Sequence, residues 1–181
     1  MEKTAEITKR NIRALSQEEL IAFFLEKGEK KFRANQVFDW VWKKSFTSFE
    51  NMSNISKETR EMLDRYFYFN KLTIDTKQIS TDRTIKCGFK LYDGSIVEGV
   101  LIPTKKRMTA CISSQVGCSL ACAFCATGKL KRMRNLTYDE IYDQVVEINN
   151  LAKEYYDKPL TNIVYMGMGE PLLNYKNTLE S

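Results

Sequence analysis

The sequence predicts an α/β protein: a small helical domain over residues 1–70, then, over residues 71–181, a β-rich segment and the first βα units of a parallel barrel. Two observations carry this prediction. Apolar residues recur at helical spacing before about residue 70 and in shorter, partly alternating runs after it. Towards the end of the printed sequence, a strand, a loop, a helix and another strand follow one another, which is the pattern of a βα unit.

Three short helices are predicted in the first domain. Ser16 and Glu19 form a capping box that opens the first helix, which Gly28 ends. The second runs from about residue 33 to 44, with apolar pairs four residues apart, and Ser56 is the expected N-cap of the third. The aromatic side chains of these helices are typical of a packed core rather than of platforms for nucleobases.

Four strands are predicted after the helices. Their bounds are 72–79, 84–92, 95–102 and 108–113. Asp93 and Gly94 predict a two-residue hairpin turn between the second and third strands. Pro103 ends the third strand, because proline cannot donate to the ladder.

A long helix and a further strand complete the predicted βα unit. Thr137 and Glu140 form a second capping box, and an apolar stripe follows from Ile141 to Tyr155. A strand over residues 161–166 then runs into a glycine-rich turn. Because parallel barrels carry their functional residues in the loops at the carboxyl ends of the strands, we expect the chemistry in the loop before this helix and in this turn.

Three cysteines in the loop before the long helix are the strongest functional signal. Cys118, Cys122 and Cys125 have C-x3-C-x2-C spacing, and three thiolates can hold a four-iron cluster while leaving one iron open to a ligand. A structural zinc site is the alternative, but it needs a fourth Cys or His. The chain has no histidine, and Cys87 and Cys111 form no second C-x2-C pair. We interpret the three cysteines as ligands of a [4Fe-4S] cluster.

Charge gives a weaker indication of the partner. The net charge of +5, from 28 basic and 23 acidic residues, favours a polyanion only slightly. Four cations follow the cysteines directly and are candidate contacts to RNA phosphates: Lys129, Lys131, Arg132 and Arg134. A solvated loop is the alternative interpretation of this run.

Other features of the composition concern the compartment. No stretch approaches the roughly 20 apolar residues that span a bilayer, and residues 1–10 lack the apolar core of a signal peptide. An odd number of cysteines without such a signal argues against disulfides. We therefore expect a cytoplasmic protein without a membrane partner, in a reducing compartment.

The cysteine spacing resembles that of the radical S-adenosylmethionine (SAM) enzymes. The segment Gly167-Met-Gly-Glu-Pro171 resembles the glycine-rich motif with which that superfamily binds SAM. This resemblance implies a (βα)6 barrel, present here in part, with a [4Fe-4S] cluster and SAM as cofactors. It also implies that Gly167, Gly169 and Glu170 contact SAM and that Phe124 packs near its adenine.

A closer resemblance is to the RlmN type of dual-specificity RNA methyltransferase. It rests on the run from Cys111 to Cys118, on Arg134-Asn-Leu136 and on the helical segment with residues 31–36. It implies methylation of C2 of an adenine in 23S rRNA and in the anticodon loop of some tRNAs, with an electron donor such as flavodoxin. Related enzymes that methylate C8 share these motifs, so C2 is a preference at the level of the family.

The resemblance assigns roles to two more residues. It implies that Cys111 resolves an RNA–protein adduct through a disulfide and that Glu98 accepts a proton; from the sequence alone, Glu98 could equally be an ordinary strand residue. The cysteine that carries the methyl group in this family has no counterpart before Ser181. We therefore expect the N-terminal half of a methyltransferase, inactive alone. An RNA-binding module without chemistry and a ferredoxin-like electron carrier are the alternatives.

Overall fold

A computed structural model describes residues 8–181 of the chain, so the start of the predicted helical domain lies outside the described part. The helices are α1 (Gln17–Glu26), α2 (Lys31–Trp42), α3 (Lys57–Tyr66), α4 (Tyr138–Tyr156) and α5 (Tyr175–Glu180). The strands are β1 (Arg10–Asn11), β2 (Phe67–Tyr68), β3 (Thr73–Ile79), β4 (Ile85–Lys90), β5 (Ile96–Pro103), β6 (Met108–Cys111), β7 (Gln115–Val116), β8 (Arg134–Asn135) and β9 (Asn162–Val164). None of the helices within this range has the length and apolar character needed to cross a bilayer.

The chain divides into two compact units, with the boundary between Asn70 and Lys71. In the first unit, α1, α2 and α3 enclose a core of aliphatic and aromatic side chains, including Leu20, Phe24, Val37, Met52, Leu63 and Phe67. The capping box is confirmed: Glu19 N–H donates to Ser16 Oγ (3.2 Å), and Ser16 N–H donates to the Glu19 carboxylate (2.7 Å). Ser56 caps α3, as predicted.

The second unit is built on a five-stranded sheet in the order β3-β4-β5-β6-β9. Neighbours from β3 to β6 are antiparallel, whereas β6 and β9 are parallel because α4 crosses over between them. The apolar stripe of α4 packs on one face of this sheet, in a core that includes Phe89, Val97, Leu101, Ala110, Ile141, Ile148 and Ala152. The predicted βα unit is thus confirmed, with β9 shorter than the predicted strand.

The turn between β4 and β5 differs from the prediction. Leu91 N–H donates to Ser95 O (2.9 Å) and Gly94 N–H donates to Leu91 O (3.0 Å), so the loop has three residues, 92–94. A two-residue type I′ turn needs positive φ at both central residues. Gly94 has φ of +81°, but Asp93 is not among the positive-φ residues. The predicted two-residue turn is therefore wrong.

Candidate functional site

The cysteine loop and the glycine-rich turn lie at the same edge of the sheet. After β6, the chain passes through β7 into the cysteine loop, defined here as residues 117–133, and returns through β8 to α4. β9 lies beside β6 in parallel register and leads into the glycine-rich turn, residues 165–171. Ser114 N–H donates to Met168 O (2.8 Å), which joins the two segments directly. The carboxyl ends of adjacent parallel strands thus bring the two motifs together.

The three loop cysteines are free thiols. Cys118 and Cys125 are half-buried and Cys122 is exposed. Cys125 N–H donates to Cys122 O (3.1 Å), which closes a tight turn. Backbone hydrogen bonds from Gly128 and Thr127 hold the pKa of the Cys125 thiol below its ordinary value. They favour the thiolate, which is the form that binds a metal.

The cysteine loop carries three thiols that could bind a cluster, but they do not lie around a common point. Among residues 8–181, no three Cys, Asp or Glu side chains are grouped closely enough to hold a metal ion. The donor set nevertheless fits, because three thiols on one loop match the three protein corners of a four-iron cluster. The loop also closes tightly on itself: a Cβ at Gly128 would lie 2.9 Å from Leu120 O and 3.2 Å from Cys122 N.

Close packing explains both glycines of the glycine-rich turn. A Cβ at Gly167 would lie 2.7 Å from the carbonyl oxygen of Ile112, at the end of β6. Gly169 has φ of +94°, and a Cβ there would lie 2.5 Å from the Cβ of Gln115. Larger residues would push the turn away from the strand that leads to the cysteines. The proposed contact of these glycines with SAM stays a prediction.

Two further predicted SAM contacts flank the site. Glu170 is half-buried, and its Oε1 accepts a hydrogen bond from Leu172 N–H (3.0 Å), which caps a short 3-10 turn. Phe124 lies in the cysteine loop and is 93% exposed. Its ring therefore has an apolar surface available to pack on a ligand.

Glu98 and Cys111 lie on the same face of the sheet, the face that points away from α4. Cys111 pairs with Val100, two residues from Glu98 on β5, so the side chains of all three point to one side. Glu98 is half exposed and forms an ion pair with Lys86 (2.7 Å). Cys111 is buried, and burial raises the pKa of its thiol.

The four cations that follow the cysteines differ in exposure and in bonding. Lys129, Lys131 and Arg132 are exposed. Arg134 instead donates to the carboxylates of Asp93 (2.7 Å) and Glu140 (2.7 and 2.9 Å), and its side chain is only 25% exposed.

The two carboxylates neutralise the guanidinium of Arg134 and hold its pKa above the ordinary value, since hydrogen bonds favour the charged form. Arg134 thus joins the β4–β5 turn to the first turn of α4, and its predicted contact with RNA stays a prediction.

Four buried polar residues that order this edge of the sheet have no counterpart among the predicted site residues. We call them the strand-end framework: Ser113, Gln115, Gln144 and Asn174. Ser113 N–H donates to Gln144 Oε1 (2.9 Å), and Gln144 Nε2 donates back to Ser113 O (3.1 Å). Ser113 Oγ accepts from Met168 N–H (2.8 Å) and donates to Glu98 O (2.6 Å). One serine therefore links β5, α4 and the glycine-rich turn.

Asn174 extends the same framework. Its Nδ2 donates to Ser114 O and to Leu136 O, each at 2.8 Å. Ser114 O also accepts from Leu136 N–H (3.1 Å), so Asn174 strengthens the link between β7 and β8 beyond their last paired residues. The polar run 113–115 directly after an apolar strand could have indicated part of this framework, whereas Gln144 and Asn174 give no local signal.

Comparison with known proteins agrees with this architecture. Residues 10–68 match the family described as ribosomal RNA large subunit methyltransferase N-terminal domain, and residues 112–180 match the radical SAM superfamily. A probable dual-specificity RNA methyltransferase RlmN from Cytophaga hutchinsonii is 63% identical over 177 residues, which cover 98% of this chain and 48% of that protein. The dual-specificity RNA methyltransferase RlmN of Geobacter sulfurreducens is 44% identical over 171 residues, 94% of this chain and 46% of that protein.

The structural likeness is as broad. A crystal structure of a radical SAM methyltransferase from Sphaerobacter thermophilus matches with a TM-score of 0.81 and 37% identity, over 94% of this chain and 50% of that one. The fold and the cysteine loop define a radical SAM protein with part of the barrel of that superfamily. Within it, the chain corresponds to the N-terminal half of the RlmN-type methyltransferases. It spans about half the length of the curated relatives it matches.

Proposed function

We propose that this chain supplies the cluster and SAM sites of an enzyme that methylates C2 of an adenine in 23S rRNA and in tRNA. One observation carries the proposal: the three-cysteine loop and the glycine-rich turn meet at the carboxyl ends of the parallel strands β6 and β9. This is the edge at which parallel barrels bind their ligands. Thiols in a cysteine loop of this kind need a reducing compartment, which supports a cytoplasmic location.

The residues of the site divide between the two cofactors. Cys118, Cys122 and Cys125 would hold the [4Fe-4S] cluster, whose bound form supplies the electron that cleaves SAM to a 5′-deoxyadenosyl radical. Gly167, Gly169, Glu170 and Phe124 would contact SAM. The turn is already held against the end of β6, so its backbone needs little ordering to receive a ligand.

The face of the sheet that points away from α4 carries the residues proposed for acid–base and thiol chemistry. Glu98 would accept the proton lost from C2, and its carboxylate forms an ion pair with Lys86 (2.7 Å). Cys111 would form the disulfide that releases the methylated RNA. Burial raises the pKa of its thiol and so favours the protonated form. A carboxylate and a thiol are suitable groups for a chain without histidine.

The exposed cations of the cysteine loop would hold RNA phosphates. Replacing Lys129, Lys131 and Arg132 together with Ala should make the negative slope of log K against log salt shallower by about 2, since each phosphate contact to a single strand contributes about −0.7. Filter binding to a 23S rRNA fragment measures this slope. The control is the equivalent triple replacement in 105–107, which has the same composition, is exposed, and precedes β6. An equal change of slope in both variants would show that the cysteine loop attracts RNA only non-specifically.

The proposed reaction can be tested in a chimera. This chain would be joined to the remaining C-terminal half of the Cytophaga hutchinsonii relative, which is 63% identical over the shared part. Reduced with flavodoxin and given SAM, the chimera should form 2-methyladenosine in 23S rRNA and tRNA, as detected by mass spectrometry of nucleosides. The same chimera with Cys122→Ala should form none. Formation of 8-methyladenosine would contradict the C2 assignment, and no methylation by a folded, cluster-loaded chimera would contradict the enzymatic proposal.

A further inference from the structure

We propose that Gln115 is a positioning residue that fixes the SAM-binding turn relative to the cysteine loop. This inference rests on the proposed function, because it assigns Gln115 a task in holding SAM. Gln115 lies in β7, three residues before Cys118, and is 0% exposed. A buried amide so close to the cysteines needs partners at both of its ends.

Both ends of the Gln115 amide are bonded to other segments of the site. Its Oε1 accepts a hydrogen bond from Glu170 N–H (3.0 Å), in the glycine-rich turn. Its Nε2 donates to Asn135 Oδ1 (2.7 Å), in β8 at the far end of the cysteine loop. Its Cβ and Cγ also fill the space into which a side chain at Gly169 would project. One side chain therefore joins the start of the loop, the end of the loop and the turn.

The polarity of these bonds specifies an amide. A backbone N–H can only donate, so the atom that faces Glu170 must accept. Asn135 Oδ1 also accepts from Arg132 Nη2 (3.1 Å), while Asn135 Nδ2 donates to Leu173 O (3.2 Å), so the atom that faces Asn135 must donate. A carboxylate meets the first requirement and fails the second. An apolar side chain of the same length fails both.

The contacts of Gln115 separate its role from that of the cysteines. It touches two residues of the proposed SAM site, Gly169 and Glu170, through packing and a hydrogen bond. Its connections to the cysteine loop run through the main chain of residues 116–118 and through Asn135 to Arg132, and neither ends on a thiol. Removing the amide should therefore loosen the SAM-binding turn and leave the cluster ligands in place.

The test compares Gln115→Met with the matched control Gln78→Met, which makes the same change on the exposed strand β3. Both chains would be reconstituted anaerobically with iron and sulfide. We expect equal iron content, at least tenfold weaker SAM binding by Gln115→Met in an electron paramagnetic resonance titration, and at least tenfold faster hydrogen exchange at the Glu170 amide. The control should match the unchanged chain in all three measurements.

The outcomes separate this inference from the proposed function. If the unchanged chain responds to SAM and Gln115→Met binds it equally well, the positioning role is overturned. If the cluster of the unchanged chain ignores SAM, the proposed function fails and takes the SAM-positioning role with it. Should Gln115→Met not fold, Gln115→Glu decides: it retains the acceptor for Glu170 N–H, so the Glu170 amide should exchange slowly, and rapid exchange in a folded Gln115→Glu chain would overturn the inference.

Discussion

Two neighbouring parts of the site are built in opposite ways. The strand-end framework is buried, and its side chains bond β5, α4, β8 and the glycine-rich turn to one another. The cysteine loop is largely exposed, and its three thiols are not gathered around one point. The difference indicates that separate residues carry stability and chemistry: the framework orders the edge of the sheet, and the loop supplies donors that a cluster would gather.

Replacing a loop cysteine should have the largest effect on the chemistry. Each of Cys118→Ala, Cys122→Ala and Cys125→Ala should reduce the iron content after reconstitution from about four atoms per chain to near zero, with loss of visible absorbance. Cys111→Ala should retain the cluster and is the matched control. Equal loss in all four variants would make Cys111 a ligand and contradict the assignment.

Replacing a residue of the strand-end framework should lower the stability of the fold, whereas replacing a loop cysteine should remove the cluster. Gln144→Leu removes both hydrogen bonds between Gln144 and Ser113. The buried backbone N–H and C=O of Ser113 then lose these partners. We expect a loss of about 2–3 kcal/mol in the free energy of unfolding, measured in urea, because unpaired buried polar groups are costly. Gln78→Leu on the exposed strand β3 should change stability by less than about 0.5 kcal/mol. Similar losses in the two variants would show that the framework does not order this edge.

The ion pair of Arg134 with Asp93 should have a smaller, pH-dependent effect. Arg134 lowers the pKa of Asp93 from 3.8 to about 2. The stabilisation is therefore complete above about pH 4 and is lost as the pH falls towards 2. Asp93→Asn should cost about 1 kcal/mol at pH 7, allowing for partial exposure, and this difference should shrink between pH 4 and pH 2.

Urea unfolding across this pH range measures the effect of Asp93→Asn. The control Asp75→Asn, on the exposed strand β3, should show little change at any of these pH values. A pH-independent difference for Asp93→Asn would attribute its effect to the turn rather than to the charge.

Phe124→Ala should have the smallest effect on stability. Its ring is 93% exposed, so the free energy of unfolding should change by less than about 0.5 kcal/mol. If the ring packs on the adenine of SAM, the same variant should bind SAM several-fold more weakly in the reconstituted chain. A stability loss above about 1 kcal/mol would place Phe124 in the core and contradict its assignment to the loop chemistry.

Local patterns predicted much of this fold, and long-range bonds account for what they missed. The capping boxes at Ser16 and Thr137 are short-range signals, and both are present. The charge of Arg134 is visible in the sequence, whereas its ion pair with Asp93, 41 residues away, is not. The bond from Asn174 to Ser114 spans 60 residues, so no window of sequence could indicate it.

Anaerobic iron–sulfur reconstitution of this chain, reduced with dithionite and followed by electron paramagnetic resonance with and without SAM, tests the central claim most directly. We expect a [4Fe-4S] signal that shifts when SAM is added, because three thiolates leave one iron open to it. A cluster indifferent to SAM, or the absence of any cluster in the folded chain, would contradict the assignment of the cysteine loop and the glycine-rich turn.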